Sequence, residues 1–359
     1  MTGFARVFPG QRTILPVLGA VVAVASFGSK PGAAVAIVVG FLLVGCVLAA
    51  VHHAEVVAHR VGEPFGSLVL AVSVTVIEVA LIVTLMISGG EHETATLARD
   101  TVFAAVMITC NGIVGVSLLV GALRRGTADF NAEGTATALA TVTTLVVLGL
   151  VLPRFTTGTP GPQYSGSQLA FAAVASVALY GLFVFVQTVR HRAHFLDEGE
   201  EEHEDPPSQR EALRSLGLLL LALVAVVGLA KLESSPIEDA VAAIGAPQSA
   251  VGVLIALLVL LPEGLAAVRN ARRDRVQTSF NLAYGSAMAS IGLTVPAIAV
   301  ASIWLDGPLV LGIDPMQMVL LGLTVVVSAL TVLPGRATVQ EGGVHLVVFG
   351  AFLFLAINP

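Results

Sequence analysis

The chain has 359 residues, of which 56% are hydrophobic and only 12% charged, and its formal net charge is −6. Soluble domains carry about 25% charged residues, so an ordinary globular protein is excluded. The apolar residues fall in repeated runs near 20 long, the helix length that crosses about 30 Å of hydrocarbon. The alternating segments of a transmembrane β-barrel are missing, which leaves an all-α polytopic membrane protein.

Taken in chain order, apolar runs and breakers predict eleven spans: 13–29, 32–57, 66–88, 98–123, 136–153, 167–189, 212–231, 240–268, 277–304, 313–333 and 340–357. The first run reads as a helix rather than a signal peptide, although Ala25-Ser26-Phe27-Gly28-Ser29 closes it. With the N-terminus inside, the inner loops hold 14 of the 18 Lys and Arg residues; the outer loops hold only Lys30, Arg99, Arg154 and Lys231. The positive-inside rule therefore puts the N-terminus in the cytoplasm and the C-terminus outside. In a bacterium this is the cytoplasmic (inner) membrane.

Residues 1–31 then form an N-terminal extra helix, followed by two five-helix repeats at 32–190 and 215–359. An odd number of spans per repeat inverts the second against the first, as in secondary transporters with sites near the midplane. The linker 191–214 carries the acidic tract Asp197–Asp205 and Pro206-Pro207. It reads either as a solvated charged linker or as a cation-attracting, regulatory segment. It lacks the ligand spacing of an EF-hand.

Candidate chemistry begins at the inner end of the second span. Glu55, His59 and Glu63 recur every four residues and share a helical face. They can pass protons or cations inward, or form a solvated juxtamembrane face. Glu78 stands alone in the run Phe65–Ser88, about ten residues from either end, with Thr75 one turn earlier. A carboxylate at that depth costs a few kcal/mol on the mildest insertion scale, so it is rare without a partner or a role.

In the next span Thr109-Cys110-Asn111-Gly112 interrupts an apolar stretch. Asn111 is either a cation ligand or an interhelical hydrogen bonder. Glu263, between Pro262 and Gly264, is the second embedded acid. A break at Pro262 would bare carbonyl oxygens beside it. Ser286 and Ser290, four apart on the small-residue ninth span, serve packing or coordination. Cys46 and Cys110 both lie in apolar runs and read as core packing.

With these residues in place, the chain resembles the cation/proton exchanger family of the calcium/cation antiporter superfamily, and most closely the bacterial calcium- and sodium-/proton antiporters. The resemblance covers about 32–357: the spans, the acidic segment after the sixth, and two α-repeats on spans 3–4 and 8–9. Glu78 and Glu263 match the glutamates of the family's Gly-Asn-x-x-Glu motifs. Gly285-Ser286 matches the second repeat's glycine-serine, Asn111 the asparagine of the family's Gly-Ser-x-x-Ser-Asn stretch, and Glu55 a glutamate of the preceding helix.

Three departures stand out. Val74-Thr75 and Val259-Leu260 replace Gly-Asn, and Gly264 stands where the calcium exchangers have histidine.

The resemblance implies export of Ca²⁺, Na⁺ or K⁺ in exchange for H⁺. Glu78 and Glu263 would be the metal-binding carboxylates, with Asn111, Thr75, Ser286, Ser290 and Glu55 completing the cation and proton path. A strictly monovalent antiporter is the alternative, and a cation channel using the same carboxylates a weaker one. No cofactor is implied. The expected partners are the lipid bilayer and the transported ions, without nucleic acid. An intramembrane enzyme is disfavoured, because the chain shows no His-Glu-x-x-His, no Ser/His pair at bilayer depth and no paired aspartates.

Overall fold

The computed structural model describes residues 11–26, 28, 32–62, 65–88, 95–196, 206–243, 245–304 and 308–359. Glu63 and the acidic tract 197–205 lie outside them. Among the described residues there are eleven long helices: α1 (Gln11–Ala25), α2 (Ala33–Val61), α3 (Phe65–Ser88), α4 (Leu97–Arg125), α5 (Ala132–Arg154), α6 (Gly166–Arg190), α7 (Gln209–Ala243), α8 (Ser249–Arg272), α9 (Val276–Ala301), α10 (Pro315–Val332) and α11 (Val339–Ile357). Ten are long and apolar enough to cross a membrane, and α1 is a shorter apolar helix. The predicted all-α polytopic class is met, with a helix for each of the eleven predicted spans and ten of them long enough to cross.

Two local expectations differ from the structure. The predicted boundary near 231–240 falls inside α7, which runs on through Pro236 for 35 residues, about 52 Å at 1.5 Å per residue. Charged Lys231, Glu233, Glu238 and Asp239 end the apolar run there without ending the helix. The expected break at Pro262 does not occur either, since α8 is helical on both sides of it. The proline ring only removes the N–H that the carbonyl of Leu258 would otherwise receive.

The chain divides into two compact units, each drawing on both halves of the sequence. One comprises Met1–Gly90 and His203–Ile244; the other comprises Glu91–Glu202 and Gly245–Pro359.

In the first unit, α1, α2, α3 and α7 pack through small residues. A Cβ on Gly228 of α7 would come within 2.5 Å of the Ala23 Cβ of α1. The Cys46 thiol of α2 donates to the Leu15 carbonyl at 3.3 Å.

In the second unit α4 is the central helix, with 89% of its span buried. It is interrupted by a π-turn at Ile108–Ile113 and ends at Gly126, whose φ of 86° lies in the region where glycine costs least.

The basic end of this unit is closed by a two-stranded antiparallel ladder, β1 (Ala128–Asp129) and β2 (Arg336–Ala337), pairing Ala128 with Ala337 and Asp129 with Arg336. At the same end Arg125 pairs with Asp274 at 3.0 Å, the Arg124 guanidinium donates to the Arg272 carbonyl, and the Asn131 N–H donates to Gln277 Oε1 at 2.8 Å. Helices α10 and α11 each start with a capping box, Asp314/Gln317 and Thr338/Glu341.

Candidate ion-binding sites

In the first unit the carboxyl of Glu78 is buried, 3% exposed, half-way along α3. Thr75 lies one turn earlier and is also buried, so the two share one face of the helix. Among the described residues nothing hydrogen-bonds the Thr75 hydroxyl. That is unusual, because a helical threonine ordinarily donates to the carbonyl one turn back, as Ser73 does to Val69 at 2.7 Å. A buried, unused oxygen a turn from a buried carboxylate supplies two of the hard oxygen donors that a cation needs.

Glu55 is placed differently. It sits at the exposed face of α2, 3.8 Å from His52. The inward face of that segment belongs to His53, whose Nε2 meets the Arg12 carbonyl at 3.1 Å.

In the second unit Glu263 is 9% exposed on α8. Its neighbour Gly264 faces the π-turn of α4, where an added Cβ would sit 3.7 Å from Ile113 Cδ1. Of the two small-helix serines, Ser290 is buried and Ser286 half-buried on α9.

Asn111 lies inside the π-turn, fully buried, and its amide reaches α10 and α11. Nδ2 donates to Thr324 Oγ1 at 2.9 Å, and Oδ1 lies 3.3 Å from His345 Nδ1. π-Turns of this kind cluster at functional positions.

Among the described residues no three His, Cys, Asp or Glu side chains gather as a metal centre. Glu78 on α3 and Glu263 on α8 are buried carboxylates within long apolar helices, one in each unit.

Besides His53, the buried ionisable groups His345, Glu233 and Asp100 were not singled out from sequence. His345 looks like an isolated polar residue near the start of a span, and only the fold brings Thr331, 3.2 Å away, and Asn111 to it. Glu233 sits beyond Lys231, where the apolar run has ended, yet α7 carries it into the first unit within 3.8 Å of where a Gly40 side chain would begin. Asp100, in the first turn of α4, accepts from Arg99 at 2.8 Å and from Gln317 at 3.3 Å.

Comparison with known proteins places the chain in a family. The sodium/calcium exchanger protein family profile matches residues 31–189 and 214–358. The chain is 48% identical over 322 residues to the putative ionic transporter y4hA of Sinorhizobium fredii, covering 89% of this chain and 87% of that one. It is 35% identical over 350 residues to the sodium-potassium/proton antiporter ChaA of Escherichia coli, covering 95% and 94%. The solved structure of native YfkE superposes with a TM-score of 0.75 at 16% identity, over 97% of this chain and 100% of that one, which is a likeness of fold.

Proposed function

Because this chain belongs to the sodium/calcium exchanger protein family, whose members exchange cations across membranes, we propose that it exports cytoplasmic Ca²⁺, Na⁺ or K⁺ in exchange for protons. The observation that carries this reading is that buried Glu78 shares one face of α3 with the buried Thr75 hydroxyl, which has no partner among the described residues. Glu263 is its counterpart in the other α-repeat. Proton and metal ion compete for the same carboxylate lone pairs, so a site holds one or the other, and that exclusivity couples the two fluxes. An unoccupied, ionised carboxylate at bilayer depth is too costly to reorient, which suppresses leak. The two inverted five-helix repeats would give alternating access, with the N-terminus inside and the C-terminus outside.

A monovalent preference is the second reading, and two observations favour it. Valine, threonine and leucine replace the Gly-Asn amides of both motifs, and Gly264 replaces the histidine. Fewer neutral ligands suit a site that need not strip the tightly bound hydration shell of a divalent ion. The 35% identical relative is named a sodium-potassium/proton antiporter.

The test is proton movement in everted vesicles on addition of Ca²⁺, Na⁺, K⁺ or Mg²⁺, for the parent and for Glu78→Gln and Glu263→Gln. Both variants should fold and lose cation-dependent proton release. Normal release from either rejects the assignment.

A further inference from the structure

We propose that His345 is a positioning residue for exchange: it holds the Asn111 amide in one orientation and so anchors the π-turn of α4 beside Glu263. The inference rests on the reading of Glu263 as an ion-binding carboxylate. It adds a residue on the last helix that lies outside both α-repeats.

The hydrogen-bond directions follow from donor counting. Thr324 has a single hydroxyl proton, and it is directed at the Leu320 carbonyl 2.8 Å away. Toward Asn111, 2.9 Å away, Thr324 is therefore an acceptor, and the amide must present its NH₂ group. That turns the Asn111 carbonyl oxygen to His345, 3.3 Å away, and an amide oxygen only accepts. His345 Nδ1 therefore carries the proton. Its Nε2, 3.2 Å from Thr331 Oγ1, takes the Thr331 proton. The result is a one-way chain, Thr331 to His345 to Asn111 to Thr324 to Leu320, in which every proton has an acceptor.

This chain is built into close packing. Asn111 and His345 are both 0% exposed. A Cβ on Gly115, one turn beyond Asn111, would lie 3.0 Å from the His345 Cβ. Helix α11 is thus seated closely against α4 at this point.

Asn111 falls in the π-turn Ile108–Ile113, and Ile113 at its end faces Gly264, the residue after Glu263. A π-turn inserts one residue and so rotates all later side chains around the helix axis. Whatever pins that turn sets which side chains α4 shows to α8. His345 pins it through Asn111 without needing to touch the ion.

The experiment is cation-dependent proton release in everted vesicles with His345→Asn, His345→Gln and Glu263→Gln, over a range of Na⁺, K⁺ and Ca²⁺ concentrations. An asparagine at 345 places an amide N–H where Nδ1 was and keeps the donor to Asn111. A glutamine reaches the Nε2 position and faces Thr331 instead. His345→Asn should keep the cation KM within about twofold of the parent. His345→Gln should raise it about tenfold, the scale of one buried hydrogen bond, with the maximal rate little changed.

Equal KM values for the two variants, or a better glutamine variant, overturn the positioning role. A fall in maximal rate alone, with KM unmoved in both, also overturns it. Inactive Glu263→Gln alongside parental KM in both His345 variants sinks only this inference. Fully active Glu263→Gln sinks the functional reading beneath it.

Discussion

The Asn111 amide nitrogen donates to the Thr324 hydroxyl at 2.9 Å, joining α4 to α10 across 213 residues of sequence. Both side chains are buried, so neither finds water if the other is removed. Thr324→Val keeps the volume and deletes the acceptor, leaving a buried NH₂ group whose nearest alternative is the Met107 sulfur at 3.9 Å. An unsatisfied buried donor costs about 1–3 kcal/mol. Thermal unfolding in detergent should show Thr324→Val destabilised by that amount and Thr324→Ser far less. An unchanged melting temperature for the valine variant would show that Asn111 finds another partner.

Thr75 predicts the opposite sign. Its hydroxyl is buried with no partner among the described residues, so the fold already bears a desolvation cost there. Thr75→Val removes that cost at constant shape and should stabilise the protein by about 1 kcal/mol. If the oxygen serves a cation bound at Glu78, the same change should weaken cation affinity several-fold. Stability and transport would then move in opposite directions, the trade-off expected where an activity depends on a locally unfavourable group. A valine variant that is less stable and transports with parental KM would mean that Thr75 is a structural residue.

The span pattern is legible in the sequence because it needs only run length and hydropathy, and ten of the eleven helices meet both criteria. Glu78 and Glu263 are legible for the same reason, since a lone acid in an apolar run contradicts its surroundings. The end of α7 is not, because Lys231 and Glu233 end the apolar run rather than the helical hydrogen bonding. Continuity of α8 through Pro262 is hidden too, as a proline costs one donor and the neighbouring turns hold. His345 is the plainest case. Its role depends on Asn111, 234 residues away, and on Thr331 on the preceding helix. No periodicity within a single helix brings those three together. The exposure of Glu55 is likewise tertiary, because the four-residue spacing with His59 says that they share a face and not which face is covered.

Two glycines of α7 offer a matched comparison. An alanine Cβ at Gly228 would overlap the Ala23 Cβ at 2.5 Å, a distance at which the helices must part, whereas nothing among the described residues lies within 4 Å of one at Gly217. Gly228→Ala should therefore destabilise the protein by about 1–3 kcal/mol through overpacking. Gly217→Ala should be neutral or slightly stabilising, by at most about 1 kcal/mol from helix propensity. Melting curves of the two variants in one detergent decide it. Equal behaviour would mean that α1 does not seat against α7 at that contact.

Competition for Glu78 and Glu263 also has a definite signature in pH. Where the carboxylates are protonated in the absence of metal, each proton that must leave before a cation binds raises the cation KM up to tenfold per unit fall in pH, by linkage. Where they are already ionised, KM becomes independent of pH. The sign is fixed: acidification weakens cation binding, and high pH saturates it. Maximal rates need not change in step, because saturating cation displaces the protons. Initial rates of proton release over a series of pH values, at several Na⁺, K⁺ and Ca²⁺ concentrations, would give KM against pH directly. A slope of one decade per pH unit indicates one competing proton, and two decades indicate that both glutamates discharge together. A KM that is flat across the whole range, with transport intact, would mean that proton and cation occupy separate groups, and exchange by shared carboxylates would have to be abandoned.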